Sequence, residues 1–228
     1  ADDLNAYIDH TGATVERARI EAGNLAHSLR TPLAVITDEA ERLARQPASR
    51  ASAEVLLAEA QRMGQQIEFR LARARSAASG SLPGTVCRID AVLAPILSAM
   101  RRLHPDIAFT LAAGPGDAEL AIDPADLTEL LSNLLDNAGK WAAERVVVTV
   151  AAGPAPAIAI TDDGPGLSAE QIARAGQAGL RFDASRPGSG LGLAIARDIA
   201  QNYGLVLGLA PRGDGASGLV ATLAARPG

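Results

Sequence analysis

The sequence predicts an α+β multidomain protein in which a helical hairpin forms a dimeric four-helix bundle and is followed by an α/β sandwich. Two observations support this prediction of the fold class. Residues 12–75 place apolar side chains at helical spacing, whereas residues 85–228 alternate short strand-like runs with helical runs. Residues 76–84 are rich in Ser, Gly and Pro, which is typical of a linker, and residues 1–11 are the expected remnant of an upstream linker.

The hairpin is predicted from two apolar stripes separated by a break. The first stripe consists of Leu25, Leu29, Leu33, Ile36, Ala40 and Leu43. The second consists of Leu56, Ala60, Met63, Ile67, Leu71 and Ala74. Pro47 lies between them and cannot continue a helix, while Pro32 is expected to bend the first one. Because each stripe is narrow, one hairpin would bury little, and two hairpins that pair into a bundle are the natural solution.

Beyond the linker, helices are expected on one face of a mixed sheet. Strands are predicted at 86–89, 107–111, 146–150, 157–161, 206–209 and 219–224, and helices at 90–103, 127–142 and 194–203. Asp123 and Pro124 form a start signal before the second of these helices. Residues 168–187 contain glycine and little periodicity, which predicts a mobile lid.

Composition narrows the classes of function. The chain has 228 residues, a net charge of −5 and 48% hydrophobic residues. A nucleic-acid partner is excluded because it would require clustered Lys and Arg. The single cysteine, Cys87, cannot form an intrachain disulfide, which favours a reducing compartment and a core position. No run of 18 apolar residues occurs, so a membrane would be reached only through a segment missing upstream of Ala1 in a trimmed chain.

A histidine on the hairpin begins a short polar box. His27 is followed within about one turn by Arg30 and Thr31. A single histidine on a helix usually faces solvent and has no role. A neutral imidazole can also attack a phosphoryl group, so a surface residue and a phosphate acceptor are both consistent with the pattern.

A second polar cluster lies on the predicted helix 127–142. Asn133, Asn137 and Lys140 follow one another at spacings of four and three and therefore share one helix face. Two amides and an ammonium suit phosphate oxygens and a hydrated Mg²⁺. A polar outer face explains the same spacing equally well.

Two glycine-containing boxes complete the candidate site. Their residues are Asp162, Gly164 and Gly166 in the first box and Gly188, Gly190, Gly192 and Leu193 in the second. The second box opens a helix, where free N–H groups and the helix dipole favour an anion. No strand precedes it and no Gly-Lys-Ser/Thr follows, which excludes the dinucleotide fingerprint and the phosphate loop.

In this order, the clusters resemble the sensor histidine kinase family from about residue 20 to the C-terminus. His27 with residues 30–33 is similar to the phosphoacceptor box, and the helix from Asn133 to Lys140 is similar to the asparagine box. Ser28 and the lid segments 179–183 and 186–188 are most similar to the PhoQ-type branch. The resemblance implies a dimerisation and phosphotransfer hairpin over 12–75 and a Bergerat-type ATP-binding domain over 85–228.

The resemblance also implies an activity and its residues. The chain would use ATP and Mg²⁺ to phosphorylate His27, with Arg30 in the same box, and would pass the phosphoryl group to an aspartate of a cognate response regulator. Thr31 would orient a water that dephosphorylates this regulator. The nucleotide contacts implied are Asn133 and Lys140 with the phosphates, Asn137 with Mg²⁺, Trp141 and Asp162 with adenine, and Arg181 and Arg186 from the lid. The expected form is a homodimer at the cytoplasmic side of a bacterial inner membrane.

Two other functions share this ATP-binding fold. ATP hydrolases of the gyrase, Hsp90 and MutL group place a Glu four residues before the magnesium-binding Asn, where this chain has Asn133, so simple hydrolysis is disfavoured. A non-catalytic dimeric scaffold is expected to lose Asn137, Asp162 or a glycine, and none is lost. One departure from the family is Ser28, because most members have Glu or Asp there to take the imidazole proton. Slow autophosphorylation is therefore expected.

Overall fold

The computed structural model divides into two compact units, Ala1–Ser79 and Gly80–Gly228. It describes residues 29, 32–46, 49–60, 63–64, 67, 86–112, 118–153, 155–177, 180, 182–183 and 190–225. Among these residues, no helix is both long and apolar enough to cross a membrane.

The N-terminal unit contains the two helices of the predicted hairpin. In the described residues, α1 covers residues 32–44 and α2 covers residues 50–60. The predicted break between them is confirmed, and two backbone bonds close it: Gln46 N–H donates to Leu43 O at 3.0 Å and Ser49 N–H donates to Gln46 O at 3.0 Å. His27, Ser28, Arg30 and Thr31 lie outside the described residues, so the roles expected of this box and the bend at Pro32 stay predictions.

The described part of the hairpin buries small side chains and exposes large ones. Ala40, Ala53 and Ala60 are at most 3% exposed. The large apolar side chains that remain 46% to 68% exposed are Val35, Ile36, Val55, Leu56 and Met63. Three of these five, Ile36, Leu56 and Met63, belong to the stripes that the sequence indicated. A single hairpin therefore leaves much of its apolar surface uncovered.

The C-terminal unit alternates strands and helices around a mixed sheet. Its elements are β1 (Cys87–Arg88), α3 (Ile89–Leu103), β2 (Ala108–Ala112), β3 (Glu119–Leu120), α4 (Pro124–Trp141), β4 (Arg145–Ala151), β5 (Ala157–Asp162), α5 (Ala169–Arg174), α6 (Gly192–Asn202), β6 (Leu205–Pro211) and β7 (Leu219–Ala225). β1 and β3 form a small antiparallel pair, and the main sheet has the order β2-β4-β5-β7-β6. Within it β2 and β4 are parallel and the other pairs are antiparallel, which confirms the predicted fold class.

One face of the main sheet carries the core. Val146 and Val148 on β4 and Ile158 and Ile160 on β5 are buried, whereas the alternate residues are more exposed. Because side chains alternate along a strand, Asp162 at the end of β5 shares this buried face. The face is covered by apolar side chains of the helices, and α4 contributes the fully buried Leu127, Leu130, Leu131 and Leu135.

Helix α4 begins three residues before the predicted start. Asp123 is its N-cap, and its carboxylate accepts a hydrogen bond from Ala125 N–H at 2.8 Å. Pro124 takes the first helical position, where the missing N–H costs nothing. The start signal seen in the sequence was therefore correct, and the apolar periodicity placed the boundary too late.

Two other expectations need correction. The strand predicted at 86–89 contains only Cys87–Arg88, because Ile89 already begins α3. The region 168–187, predicted as an aperiodic lid, begins with the short helix α5. Ser168 and Gln171 form a capping box, with Gln171 N–H donating to Ser168 Oγ at 3.2 Å and Ser168 N–H donating to Gln171 Oε1 at 2.8 Å. Six residues with no buried side chain show no apolar period, so periodicity could not reveal this helix.

Candidate functional site

A cavity of about 450 Å³ in the C-terminal unit brings together α4, the turn after β5, α5 and the start of α6. Its polar wall belongs to α4, and its opposite walls include the glycine boxes. The lining residues are Asn133, Asp136, Asn137, Lys140, Trp141, Asp162, Pro165, Gly166, Leu167, Gln171, Ala175, Gly176, Leu180, Phe182, Asp183, Gly190, Gly192, Leu193 and Leu219.

The polar wall is one face of α4. Asn133, Asn137 and Lys140 all line the cavity, as their helical spacing requires. Asn133 Nδ2 donates to Glu129 O one turn back at 2.8 Å. A Cβ on Gly192 would lie 3.1 Å from Asn133 Oδ1, so this amide oxygen faces the start of α6. The polar face of α4 and the start of α6 therefore lie close together across the cavity.

Asp162 places a buried carboxylate in the cavity wall. It is 4% exposed, and its Oδ1 accepts hydrogen bonds from Gly164 N–H at 2.9 Å and Leu219 N–H at 3.3 Å. Its Oδ2 accepts none from the described residues and remains an acceptor for a ligand. Burial raises the pKa of Asp162 above its usual value, and the two backbone N–H groups partly oppose this rise.

The next carboxylate, Asp163, ties the first glycine box to the loop after α4. Its Oδ1 accepts backbone N–H groups of Ala143, Glu144 and Arg145 at 2.9, 3.0 and 3.1 Å. Burial alone would raise the pKa of Asp163, but these three bonds outweigh it, and the pKa lies below its usual value. These three bonds, which we call the Asp163 clamp, fix the position of Asp162 relative to the end of α4.

Gly164 allows the first glycine box to approach α4 closely. A Cβ at this position would lie 2.3 Å from Trp141 O, a distance that no side chain can occupy. The turn is also held by Ser217, whose hydroxyl donates to Gly164 O at 2.5 Å. Gly164 does not line the cavity. Its lack of a side chain allows the turn after Asp162 to pack closely against the backbone of Trp141.

The second glycine box leads into α6. Gly190, Gly192 and Leu193 line the cavity, and α6 begins at Gly192. The first N–H groups of a helix lack partners within it and carry the positive end of the helix dipole. An anion in the cavity would therefore meet hydrogen-bond donors at the start of α6 and the ammonium of Lys140 on α4.

The cavity contains most, but not all, of the residues indicated by the sequence. Gly188, Arg181 and Arg186 lie outside the described residues, as does the histidine box. Ten lining residues were not among the predicted contacts: Asp136, Pro165, Leu167, Gln171, Ala175, Gly176, Leu180, Phe182, Asp183 and Leu219. The signal available for Asp136 was its place on the same polar face, three residues after Asn133 and four before Lys140. Leu180, Phe182 and Asp183 belong to the lid segment 179–183, which resembled the family but suggested no contact for these three residues. The remaining lining residues are apolar or dispersed along the chain and carried no signal.

Most of the C-terminal unit matches a known protein family. Residues 122–224 match the family model described as histidine kinase-, DNA gyrase B-, and HSP90-like ATPase. The matched range runs from the residue before the N-cap of α4 into β7 and contains every described wall of the cavity.

Curated relatives extend the similarity into the hairpin. The chain is 39% identical over 207 residues to the sensor protein kinase CarS of Pseudomonas aeruginosa, covering 89% of this chain and 45% of CarS. It is 38% identical over 206 residues to the two-component sensor PhoQ of the same organism, covering 88% and 45%. Sensor protein PhoQ of Escherichia coli is 30% identical over 205 residues, covering 88% and 42%. The chain thus spans a little under half the length of these relatives.

Solved structures share the fold. Full-length ShkA in complex with AMPPNP superposes with a TM-score of 0.62 at 22% identity, covering 90% of this chain and 45% of ShkA. The mycobacterial sensor histidine kinase MprB superposes with a TM-score of 0.56 at 27% identity, covering 63% of this chain and 99% of the MprB chain. At 22% identity, the likeness to ShkA concerns the fold alone.

Proposed function

Because this chain belongs to the PhoQ-like sensor histidine kinases, we propose that it is an ATP-dependent protein-histidine kinase that phosphorylates its own His27. The phosphoryl group then passes to an aspartate of a cognate response regulator, and the chain also dephosphorylates that regulator. The observation that carries the proposal is the cavity in which the polar face of α4, the Asp162 carboxylate and the start of α6 meet.

The cavity suits the two halves of ATP. Asp162 Oδ2 can accept a hydrogen bond from the amino group of adenine, and the ring of Trp141 is one on which the base can stack. On the phosphate side, Lys140, the Asn133 amide and the start of α6 supply positive charge and hydrogen-bond donors. Arg181 and Arg186 would add charge from the lid.

The same wall suits Mg²⁺. This ion prefers oxygen ligands, keeps several waters, and is commonly held by one or two side chains together with substrate phosphates. The amide oxygen of Asn137 meets that need, and we assign it as the protein ligand. Among the described residues there is no group of three or more His, Cys, Asp or Glu that could hold a metal. Substrate phosphates and water would complete the coordination of the ion. Bound Mg²⁺ would neutralise charge on the transferring group.

The transfer itself needs positioning more than covalent help from the protein. A neutral imidazole nitrogen of His27 bonds to the γ-phosphorus while the bond from that phosphorus to the β,γ-bridging oxygen breaks, and ADP leaves. The second imidazole nitrogen then loses its proton. A serine at position 28 could accept a hydrogen bond but would bring no charge to stabilise the imidazolium, so we expect a slow reaction that Ser28→Glu accelerates.

A homodimer is proposed from the hairpin. Val35, Ile36, Val55, Leu56 and Met63 are exposed in a single chain, and apolar stripes of this kind are covered when two hairpins form a four-helix bundle. The partner regulator would dock near His27, where Thr31 would orient the water for dephosphorylation. A position at the cytoplasmic side of an inner membrane stays a prediction from the resemblance.

The test is incubation of the chain with labelled ATP and Mg²⁺. We expect labelled protein whose phosphate is acid-labile and base-stable, as a phosphohistidine is. His27→Gln and Asn137→Ala should each abolish labelling without unfolding the protein, because one removes the acceptor and the other a metal ligand. His10→Gln is the matched control and should label normally.

Each other outcome points to a different function. Release of free phosphate without labelled protein would identify an ATP hydrolase, and neither product would identify a degenerate scaffold. Label that survives in the His27→Gln protein would refute the assignment of the phosphoacceptor.

A further inference from the structure

Asp136 lies between the two asparagines of the polar wall and has no role in the account given so far. It lines the nucleotide cavity and also a second, open groove of about 510 Å³ that is lined by residues of α3 and α4. The groove is lined by Met100, Leu103, His104, Glu129, Ser132, Asn133, Asp136 and Lys140. Asn133, Asp136 and Lys140 line both the groove and the cavity.

The Asp136 carboxylate bridges two cationic or potentially cationic side chains. Its Oδ2 accepts a hydrogen bond from Lys140 Nζ at 2.5 Å, one helical turn further on. Its Oδ1 lies 3.0 Å from His104 Nε2. The three side chains are partly shielded from water, at 29% exposure for Asp136, 34% for Lys140 and 14% for His104, so the contacts are stronger than those of a fully exposed pair.

His104 is itself fixed at the end of α3. Its backbone N–H donates to Met100 O at 2.8 Å, and its ring packs against Phe109 with the centroids 6.0 Å apart. The ring also lies directly on the backbone of α4, because a Cβ on Gly139 would lie only 2.7 Å from His104 Cδ2. The glycine at this position makes room for the imidazole, and the imidazole in turn holds Asp136.

We propose that Asp136 is a positioning residue, anchored by His104, that holds the Lys140 ammonium at the place where it meets the phosphates of the nucleotide. The inference rests on the proposed function, in which Lys140 binds those phosphates. A lysine side chain is flexible and loses much rotamer freedom when it is fixed. Asp136 fixes it before the nucleotide arrives, so the ammonium need not be ordered during phosphoryl transfer.

If Asp136 positions Lys140, a substitution of Asp136 should lower the rate of phosphoryl transfer without weakening the affinity for ATP. In Asp136→Asn the phosphates no longer compete with the Asp136 carboxylate for the Lys140 ammonium, so nucleotide binding is retained or tightened. In the transition state, however, the Lys140 ammonium is no longer held in place. We expect the autophosphorylation rate at saturating ATP to fall about tenfold, while the ATP concentration for half-maximal rate stays equal or falls.

The experiment measures initial rates of autophosphorylation against ATP concentration, and nucleotide affinity by calorimetric titration with a non-hydrolysable ATP analogue. Asp136→Asn is compared with Lys140→Met and with the double variant. If Asp136 acts only through Lys140, Asp136→Asn has no further effect in the Lys140→Met background, and the double-mutant cycle shows full coupling. Thermal unfolding of each variant verifies that it is folded.

His104 supplies the conservative rescue. Glutamine can still donate a hydrogen bond to Asp136 Oδ1, whereas leucine cannot, so His104→Gln should keep most of the rate and His104→Leu should lose it as Asp136→Asn does. Additive losses for Asp136→Asn and Lys140→Met, or weaker analogue binding with an unchanged maximal rate, would overturn the inference. A wild-type chain that binds the analogue but labels no histidine would instead count against the proposed function.

Discussion

The two units of this chain differ in what they bury. The C-terminal unit encloses Leu127, Leu130, Leu131 and Leu135 of α4 completely, against a sheet face of valines and isoleucines. The described hairpin encloses Ala40, Ala53 and Ala60 and leaves larger side chains in solvent. The C-terminal unit completes its core within a single chain, whereas the described part of the hairpin leaves large apolar side chains exposed. We therefore expect the stability of the first unit to be independent of protein concentration and that of the second to depend on a partner hairpin.

The largest expected effect comes from truncating a buried leucine in the self-contained unit. Leu131→Ala removes a fully buried side chain and should lower the free energy of unfolding by about 3 kcal/mol. The loss should be the same at every protein concentration. Urea unfolding followed over a hundredfold range of concentration measures it.

Leu56→Ala is the matched change in the hairpin, where the leucine is 47% exposed in one chain. Its effect should appear only as a change in the concentration dependence of unfolding. If Leu56→Ala costs as much as Leu131→Ala at every concentration, the contrast between the units fails.

A charge on the exposed stripe should separate the protomers. Ile36→Glu places a carboxylate where a second hairpin would cover it, and we expect the Kd of the dimer to rise about 30-fold, or roughly 2 kcal/mol. Light scattering across a dilution series gives the fraction of dimer. Glu41→Ala, an exposed change on the same helix, is the control and should leave the mass unchanged. An Ile36→Glu protein that remains dimeric would place the interface elsewhere.

A smaller effect within the C-terminal unit concerns the Asp163 clamp. Asp163→Asn weakens the acceptor for three backbone N–H groups and should lower the free energy of unfolding by about 1 to 2 kcal/mol at neutral pH. The folded-state pKa of Asp163 lies below the usual value of 3.8. Its contribution is therefore complete above that value and is lost as the pH falls through the folded pKa.

Urea midpoints for both proteins between pH 2.5 and 7 test this sign. The difference between wild type and Asp163→Asn should shrink at the acid end, whereas the exposed control Asp106→Asn should show little difference anywhere. Asp162, with its raised pKa, contributes in the opposite direction, because its folded form holds a proton more tightly than the unfolded chain does. A difference that grows on acidification would contradict the role given to Asp163.

Much of the fold was predictable because it depends on local signals. The helices and the longer strands follow from apolar periodicity and from caps such as Asp123, and the fold class and the histidine kinase family are confirmed. The order of the strands in the sheet was not predicted, because it depends on contacts between distant parts of the chain. β3 was missed because two residues carry no period, and α5 because its helix depends on a capping box and buries no side chain of its own.

The site was predictable in part. Asn133, Asn137, Lys140 and Asp162 line one cavity, although the roles given to them stay predictions. The link between His104 and Asp136 could not be read from the sequence, because 32 residues separate the pair and only the packing of α3 on α4 brings them together. The three-bond clamp of Asp163 likewise depends on how the loop after α4 returns to the sheet.

The capping box of α5 has a consequence for how the cavity exchanges with solvent. α5 contributes Gln171 to the cavity wall but buries no residue, so its amides are protected by six residues of helix and two side-chain bonds. Amides of α4 are protected by the core and can exchange with deuterium only when much of the unit opens. Those of α5 can exchange through a local opening at far lower free energy. We therefore expect ligand entry and release to be coupled to local opening of this short helix, while α4 keeps its geometry.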